Sequence, residues 1–163
     1  MRSRQEFINE YQRSHLHPLN QWIHIFCVPL IFVSSAGLMW SVSLARFFPE
    51  AGPALAPWLN LAVLVSLPIL FFYARLGLSS FVSGLAWTLV SAAVCLAIQG
   101  AGWPLAWISG ATWVLAWAVQ FYGHEVEGAK PSLMDDLVFL LIGPLFVQQK
   151  VIAMLRGQGI ARA

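Results

Sequence analysis

Charge is what this sequence has least of. Only 10% of its 163 residues are Asp, Glu, Lys or Arg, and the formal net charge is +2. Soluble domains carry about 25% charged residues, so the composition excludes an ordinary soluble globule, and it excludes a disordered chain, which needs charge and lacks apolar residues. The nine basic residues are scattered, leaving no stripe to meet a nucleic-acid backbone. Cysteine is nearly absent. Cys27 and Cys95 lie within apolar runs and in no CxxC spacing, which excludes a disulfide framework or a zinc knuckle. There is no P-loop, no GxSxG, no dinucleotide glycine motif and no CxxCH. The first fourteen residues (MRSRQEFINEYQRS) are polar, and the apolar run after them is too long for a secretory h-region. A transporter would show inverted repeats and intramembrane charges, and neither is evident.

What the chain has instead is apolar length. Hydrophobic residues make up 59% and mean hydropathy is +0.72. The expectation is an all-α integral membrane protein, a single membrane-embedded domain over 1–163. It would have four transmembrane helices, an N-terminal interfacial helix and a C-terminal re-entrant or interfacial helix. Residues 1–17 carry Phe7, Ile8 and Tyr11 between charges, as a surface amphipathic helix does. Pro18 suits a helix's first turn, with His17 at or near its N-cap. From 22 to 45 there is no Asp, Glu, Lys or Arg and His24 is the only histidine, and that run is long enough to cross a core of roughly 30 Å. Residues 46–57 hold three prolines and read as a turn. A second span is expected over 58–74, kinked at Pro68 and ended by Arg75. Residues 76–123 contain no charged side chain, enough for a third span near 79–99 and a fourth near 104–122, divided at 100–104 (GAGWP). Ser80 and Gly84 would allow close helix approach, or are ordinary small residues of a span. The apolar stretch 137–147 is about half a bilayer long and interrupted by Gly143 and Pro144, so the segment is expected to be re-entrant or interfacial, with an aqueous tail from Lys150. The three Leu-Ala-Trp triplets are unevenly spaced and read as span composition.

Four spans place Arg2, Arg4, Arg13, Arg75, Lys150, Arg156 and Arg162 on one side. Only Arg46 and Glu50 lie opposite. By the positive-inside rule both termini would be cytoplasmic, in a bacterial inner membrane.

There are four histidines, His15, His17, His24 and His124, and this topology brings all of them to one membrane face although a hundred residues separate the last two. His17, Asn20 and His24 stand at i, i+3 and i+7, and His124 and Glu127 are three apart, so each set shares a helix face. Neutral imidazoles converging beside a carboxylate suit zinc, iron, copper or nickel rather than magnesium or calcium. A single interfacial histidine is more often a headgroup contact or a cap, and Glu125, Glu127, Asp135 and Asp136 could form a solvated loop. Four histidines on one face weigh the other way.

Two segments carry a resemblance. YQRSHLHPLNQWIHIFCVP (residues 11–29), and QFYGHEVEGAKPSL (120–133) continuing into LIGP (141–144), resemble the motifs of the yeast-type 2-hydroxy fatty acid dioxygenase family, which acts where phytosphingosine is metabolised to odd-numbered fatty acids. Order, separation and length all fit, and the chain looks like the bacterial branch. Some members have asparagine where this chain has His17, and the Glu-to-Pro spacing here is shorter than in the fungal type. The resemblance implies an Fe(II)-dependent oxygenase that uses O2 to cleave between C1 and C2 of a long-chain 2-hydroxy fatty acid, leaving an acid one carbon shorter. It implies His15, His24 and His124 as metal ligands, with His17 less secure. Asn20, Gln120 or Lys130 would orient the substrate carboxylate or a ligand imidazole. Glu127 would be a ligand, a supporting partner or a proton shuttle in catalysis. Two rival readings are a haem electron carrier with His24 and His124 as axial ligands, and a non-catalytic membrane scaffold.

Overall fold

The computed structural model describes residues 2–128 and 138–157. Among them the fold is all-helical: α1 (Arg4–Gln12), α2 (Pro18–Trp40), α3 (Leu61–Arg75), α4 (Leu78–Gly100), α5 (Leu105–Glu127) and α6 (Val138–Leu155), with two 3-10 turns, Ala45–Phe47 and Ala56–Trp58, between α2 and α3. Three of these helices, α2, α4 and α6, are long and apolar enough to cross a membrane, and the chain is a membrane protein. The 15 residues of α3 span about 22 Å at 1.5 Å per residue. With 23 residues, α5 matches α2 and α4 in length, but three tryptophans, Gln120, His124 and two glutamates dilute its apolar character.

The chain divides into two compact units, residues 1–31 with 114–163, and residues 32–113. In the second unit α3 and α4 pack as a hairpin turned at Gly77, whose φ of 110° is natural only to glycine. A close approach at Gly84 is present: a Cβ there would run into the ring of Tyr73, which is wholly buried. A second approach pairs Gly37 of α2 with Ser109 of α5. Trp40, Cys95 and Leu105 form this unit's core, and Trp40 donates its indole N–H to Gln99 Oε1 at 3.1 Å.

The first unit holds the residues singled out above. Its α1 begins with a capping box: Ser3 Oγ accepts from the Glu6 backbone N–H, and the Glu6 carboxylate accepts from that of Ser3. Ile8 and Tyr11, the apolar side of this short helix, are buried where α1 packs on α6. Cys27, Ile31, Ala116 and Trp117 form a core cluster between α2 and α5. As expected from Pro18, α2 starts at that proline, and His24 falls in its second turn.

Two expectations for the C-terminal region are corrected. Gly143 and Pro144 do not break α6, which runs continuously for 18 residues. Proline removes one i→i−4 hydrogen bond, but Gly143 lets α6 press against its neighbours. A Cβ there would come within 3.2 Å of Val28 Cγ1 and 3.4 Å of the Tyr11 hydroxyl. That packing holds the helix where local preference alone would end it. Lys150 does not open an aqueous tail either: it is 0% exposed, on the same buried side of α6 as Phe146.

Candidate metal centre

His15 lies in the short connection between α1 and α2, His24 on α2 and His124 near the end of α5. All three are buried, and one ligand nitrogen from each lies within 4.8 Å of the others. Their ring centroids are 4.2–5.0 Å apart, at steep angles.

Backbone geometry decides which nitrogens are available. His15 Nδ1 stands 2.5 Å from the carbonyl of Tyr11, and His24 Nδ1 stands 2.9 Å from that of Asn20. A carbonyl can only accept, so each Nδ1 carries the hydrogen and each Nε2 carries a lone pair. Those two Nε2 atoms face each other at 2.9 Å. Neutral rings in these tautomers have no proton to share between them, so a cation is the group that reconciles the two lone pairs. Burial drives His15 to its neutral form, lowering its pKa to about 3 despite its bond to the Tyr11 carbonyl, with His124 and Lys150 adding repulsion. Three buried imidazoles clustered in this way suit a transition metal.

The surroundings fix this arrangement. Tyr11 stacks flat on His15, with centroids 4.1 Å apart and an interplanar angle of 6°. Phe146 flanks His15 at 5.5 Å, and the Lys150 ammonium lies 5.3 Å from the Phe146 ring. Gln21 Nε2 donates to the His15 carbonyl at 2.8 Å. Gly123 has no Cβ to hold α5 away from α2, because one would stand 2.5 Å from Asn20 Oδ1. His124 follows immediately.

Glu127 is engaged by backbone groups and by Asn20. Its two carboxylate oxygens accept from the backbone N–H groups of Leu16 and His17, both at 2.8 Å, and one also accepts from Asn20 Nδ2 at 3.1 Å. The last turn of α5 thus caps the start of α2, where unpaired N–H groups and the helix dipole favour an anion. Burial opposes the charge on Glu127, but the N–H groups of His17 and Leu16 and the Asn20 amide outweigh it and hold the carboxyl below its usual range.

Among the residues singled out from sequence, His15, His24, His124, Asn20 and Gln120 come together. Gln120 Nε2 lies 3.0 Å from His24 Nε2. His17 does not join them: it is exposed, and its Nδ1 accepts from the Leu19 backbone N–H at 3.2 Å as an N-cap. Lys130 lies outside the described residues. Sequence reasoning missed Tyr11 as the platform for His15, although it stands at i−4. It also missed Gln21, which lies within the first motif, and Lys150. The signal for Lys150 was present, since it is the only charged residue in α6.

No curated protein and no solved structure matches this chain. A family model described as 2-hydroxy-palmitic acid dioxygenase Mpo1-like matches residues 1–155. That span takes in α1, both motif segments, all three clustered histidines and α6, so the chain belongs to the Mpo1-like family.

Proposed function

We propose that the protein is a membrane-bound Fe(II)-dependent dioxygenase that shortens long-chain 2-hydroxy fatty acids by one carbon, with His15, His24 and His124 as the metal ligands. The observation that carries this reading is the convergence of the His15 and His24 Nε2 lone pairs in a buried pocket beside His124. His15, His24 and His124 would hold a ferrous ion, and that ion would supply the activation of O2 beside a 2-hydroxy acid. The sum is balanced without a further reductant: RCH(OH)COOH and O2 give RCOOH, CO2 and water.

The chain's own residues do the rest. The Tyr11 and Asn20 carbonyls hold the imidazoles in the ligating tautomer and orientation. Glu127 acts as the clamp that sets the His15 connection against α5, in place of a proton shuttle. Lys150, a cation buried near His15, offsets the negative charge of the substrate carboxylate. Asn20 and Gln21 tie the Ser14 and His15 carbonyls and keep the connection closed over the pocket. The acyl chain lies along the apolar helices. Arg2, Arg4 and Arg13 precede the first span, and the positive-inside rule supports a cytoplasmic location for this end of the chain.

The haem reading fits the geometry less well. Axial imidazoles stand on opposite faces of a macrocycle, whereas His24 and His124 are 4.9 Å apart between centroids with His15 against both. The test is direct. Protein reconstituted with Fe²⁺ without air, then given 2-hydroxypalmitate and O2, should yield pentadecanoate by mass spectrometry and lose that product in His124→Ala. Intact substrate over an iron-loaded protein would overturn the reaction assigned here.

A further inference from the structure

Gln120 is a further polar side chain beside the clustered histidines. It stands one helical turn before His124 on α5 and is only 6% exposed. Its amide nitrogen lies 3.0 Å from His24 Nε2, and its Oε1 is buried with no hydrogen-bond partner. A buried amide oxygen without a donor calls for an explanation.

The two ends of a glutamine amide are nearly the same size, and a half-turn about the last bond exchanges them. That half-turn would bring Oε1 to the position beside His24 Nε2, as a second lone-pair atom next to the first. Such a pair repels unless both atoms face a cation, which is the relation already present between His15 and His24. The distances agree. Metal–imidazole bonds of about 2.1 Å put neighbouring ligands about 3.0 Å apart around an octahedral ion, and about 3.4 Å apart around a tetrahedral one. The observed separations are 2.9 Å from His24 to His15 and 3.0 Å from His24 to Gln120.

We propose that Gln120 is a metal ligand through Oε1, making a four-donor set with His15, His24 and His124 and favouring a six-coordinate ion over a tetrahedral one. The inference rests on the metal reading above. An amide oxygen is neutral and turns freely on a single bond, so it is the donor that yields its place when an incoming ligand needs one.

The test separates an oxygen ligand from a hydrogen-bonding support for His24. Glutamate at this position keeps the oxygen and has no N–H to donate. Full-length protein in detergent is titrated anaerobically with Fe²⁺, and separately with Co²⁺, whose visible band weakens as coordination number rises. Gln120→Leu should bind at least tenfold more weakly than wild type and change the Co²⁺ band. Gln120→Glu should bind at least as tightly as wild type and keep the weak band. Gln120→Leu binding within twofold of wild type with the band unchanged would overturn the proposal. So would Gln120→Glu binding as weakly as Gln120→Leu, which would leave Gln120 as a donor to His24. Absence of binding by wild type would overturn the metal reading itself.

Discussion

Gly123→Ala tests whether the spacing between α2 and α5 sets the metal centre. The added methyl would stand 2.5 Å from Asn20 Oδ1 and 3.2 and 3.3 Å from Ile23 Cδ1 and Cγ2. The Ile23 contacts require shifts of a few tenths of an ångström. The Asn20 contact cannot be absorbed so cheaply, because the same amide is tied through Nδ2 to Glu127 at 3.1 Å and to the Ser14 carbonyl at 3.3 Å. Turning Asn20 away forfeits those bonds, one of them to a carboxylate and together about 2 kcal/mol or more. Moving α5 instead carries His124 out of register. Either route matches the general cost of overpacking, about 1–3 kcal/mol. A loss of about 2 kcal/mol lowers the thermal midpoint by roughly 4–8 °C for a chain of this size, and the same amount taken from metal binding is more than tenfold in affinity. Asn20→Ala removes the oxygen that the methyl meets, so Gly123→Ala should cost about 1 kcal/mol less in that background. The assay is a double-mutant cycle on thermal midpoint and Fe²⁺ affinity in detergent. Additivity within about 0.4 kcal/mol, or a neutral Gly123→Ala, would refute the reasoning.

Three further outcomes follow from the same geometry. His17→Ala removes an exposed cap and should cost about 1 kcal/mol of stability while leaving metal stoichiometry as in wild type; loss of the metal would place His17 in the site after all. Glu127 has its pKa lowered on folding, so its contribution is present above its ordinary value of 4.5 and is lost as pH falls through the folded value. Wild type should therefore have a higher thermal midpoint than Glu127→Gln near neutral pH, and the gap should close in more acid solution; a gap independent of pH contradicts the clamp. Lys150→Met should raise KM for 2-hydroxypalmitate at least tenfold with Fe²⁺ binding preserved, and Lys150→Arg should recover part of the loss; an unchanged KM in Lys150→Met would remove Lys150 from substrate binding.

Much of the helical layout was legible because its signals are local. The uncharged run 76–123 with its GAGWP break gives α4 and α5, which end and begin at Gly100 and Leu105, and Gly102 takes the positive φ of the turn between them. The convergence of His15, His24 and His124 was legible because residues that share a membrane face can meet whatever their separation in sequence. His17 has the right spacing from His24, but it precedes Pro18 and its ring is drawn into capping the helix. Glu127 has ligand-like spacing from His124, yet the free N–H groups at the start of α2 claim its carboxylate. The course of α6 was hidden because Gly143 and Pro144 read locally as a break, while contact with Val28 and Tyr11 holds the helix together. Lys150 was misread for the same reason: the helix that buries it extends past the point where local rules end it.

Metal stoichiometry tests the central claim most directly. Wild type reconstituted anaerobically with Fe²⁺ and passed through a desalting column should retain one iron per chain, and His15→Ala, His24→Ala and His124→Ala should each retain none while keeping wild-type helicity. An iron-free wild type, or a His124→Ala that holds iron as tightly as wild type, would contradict the account.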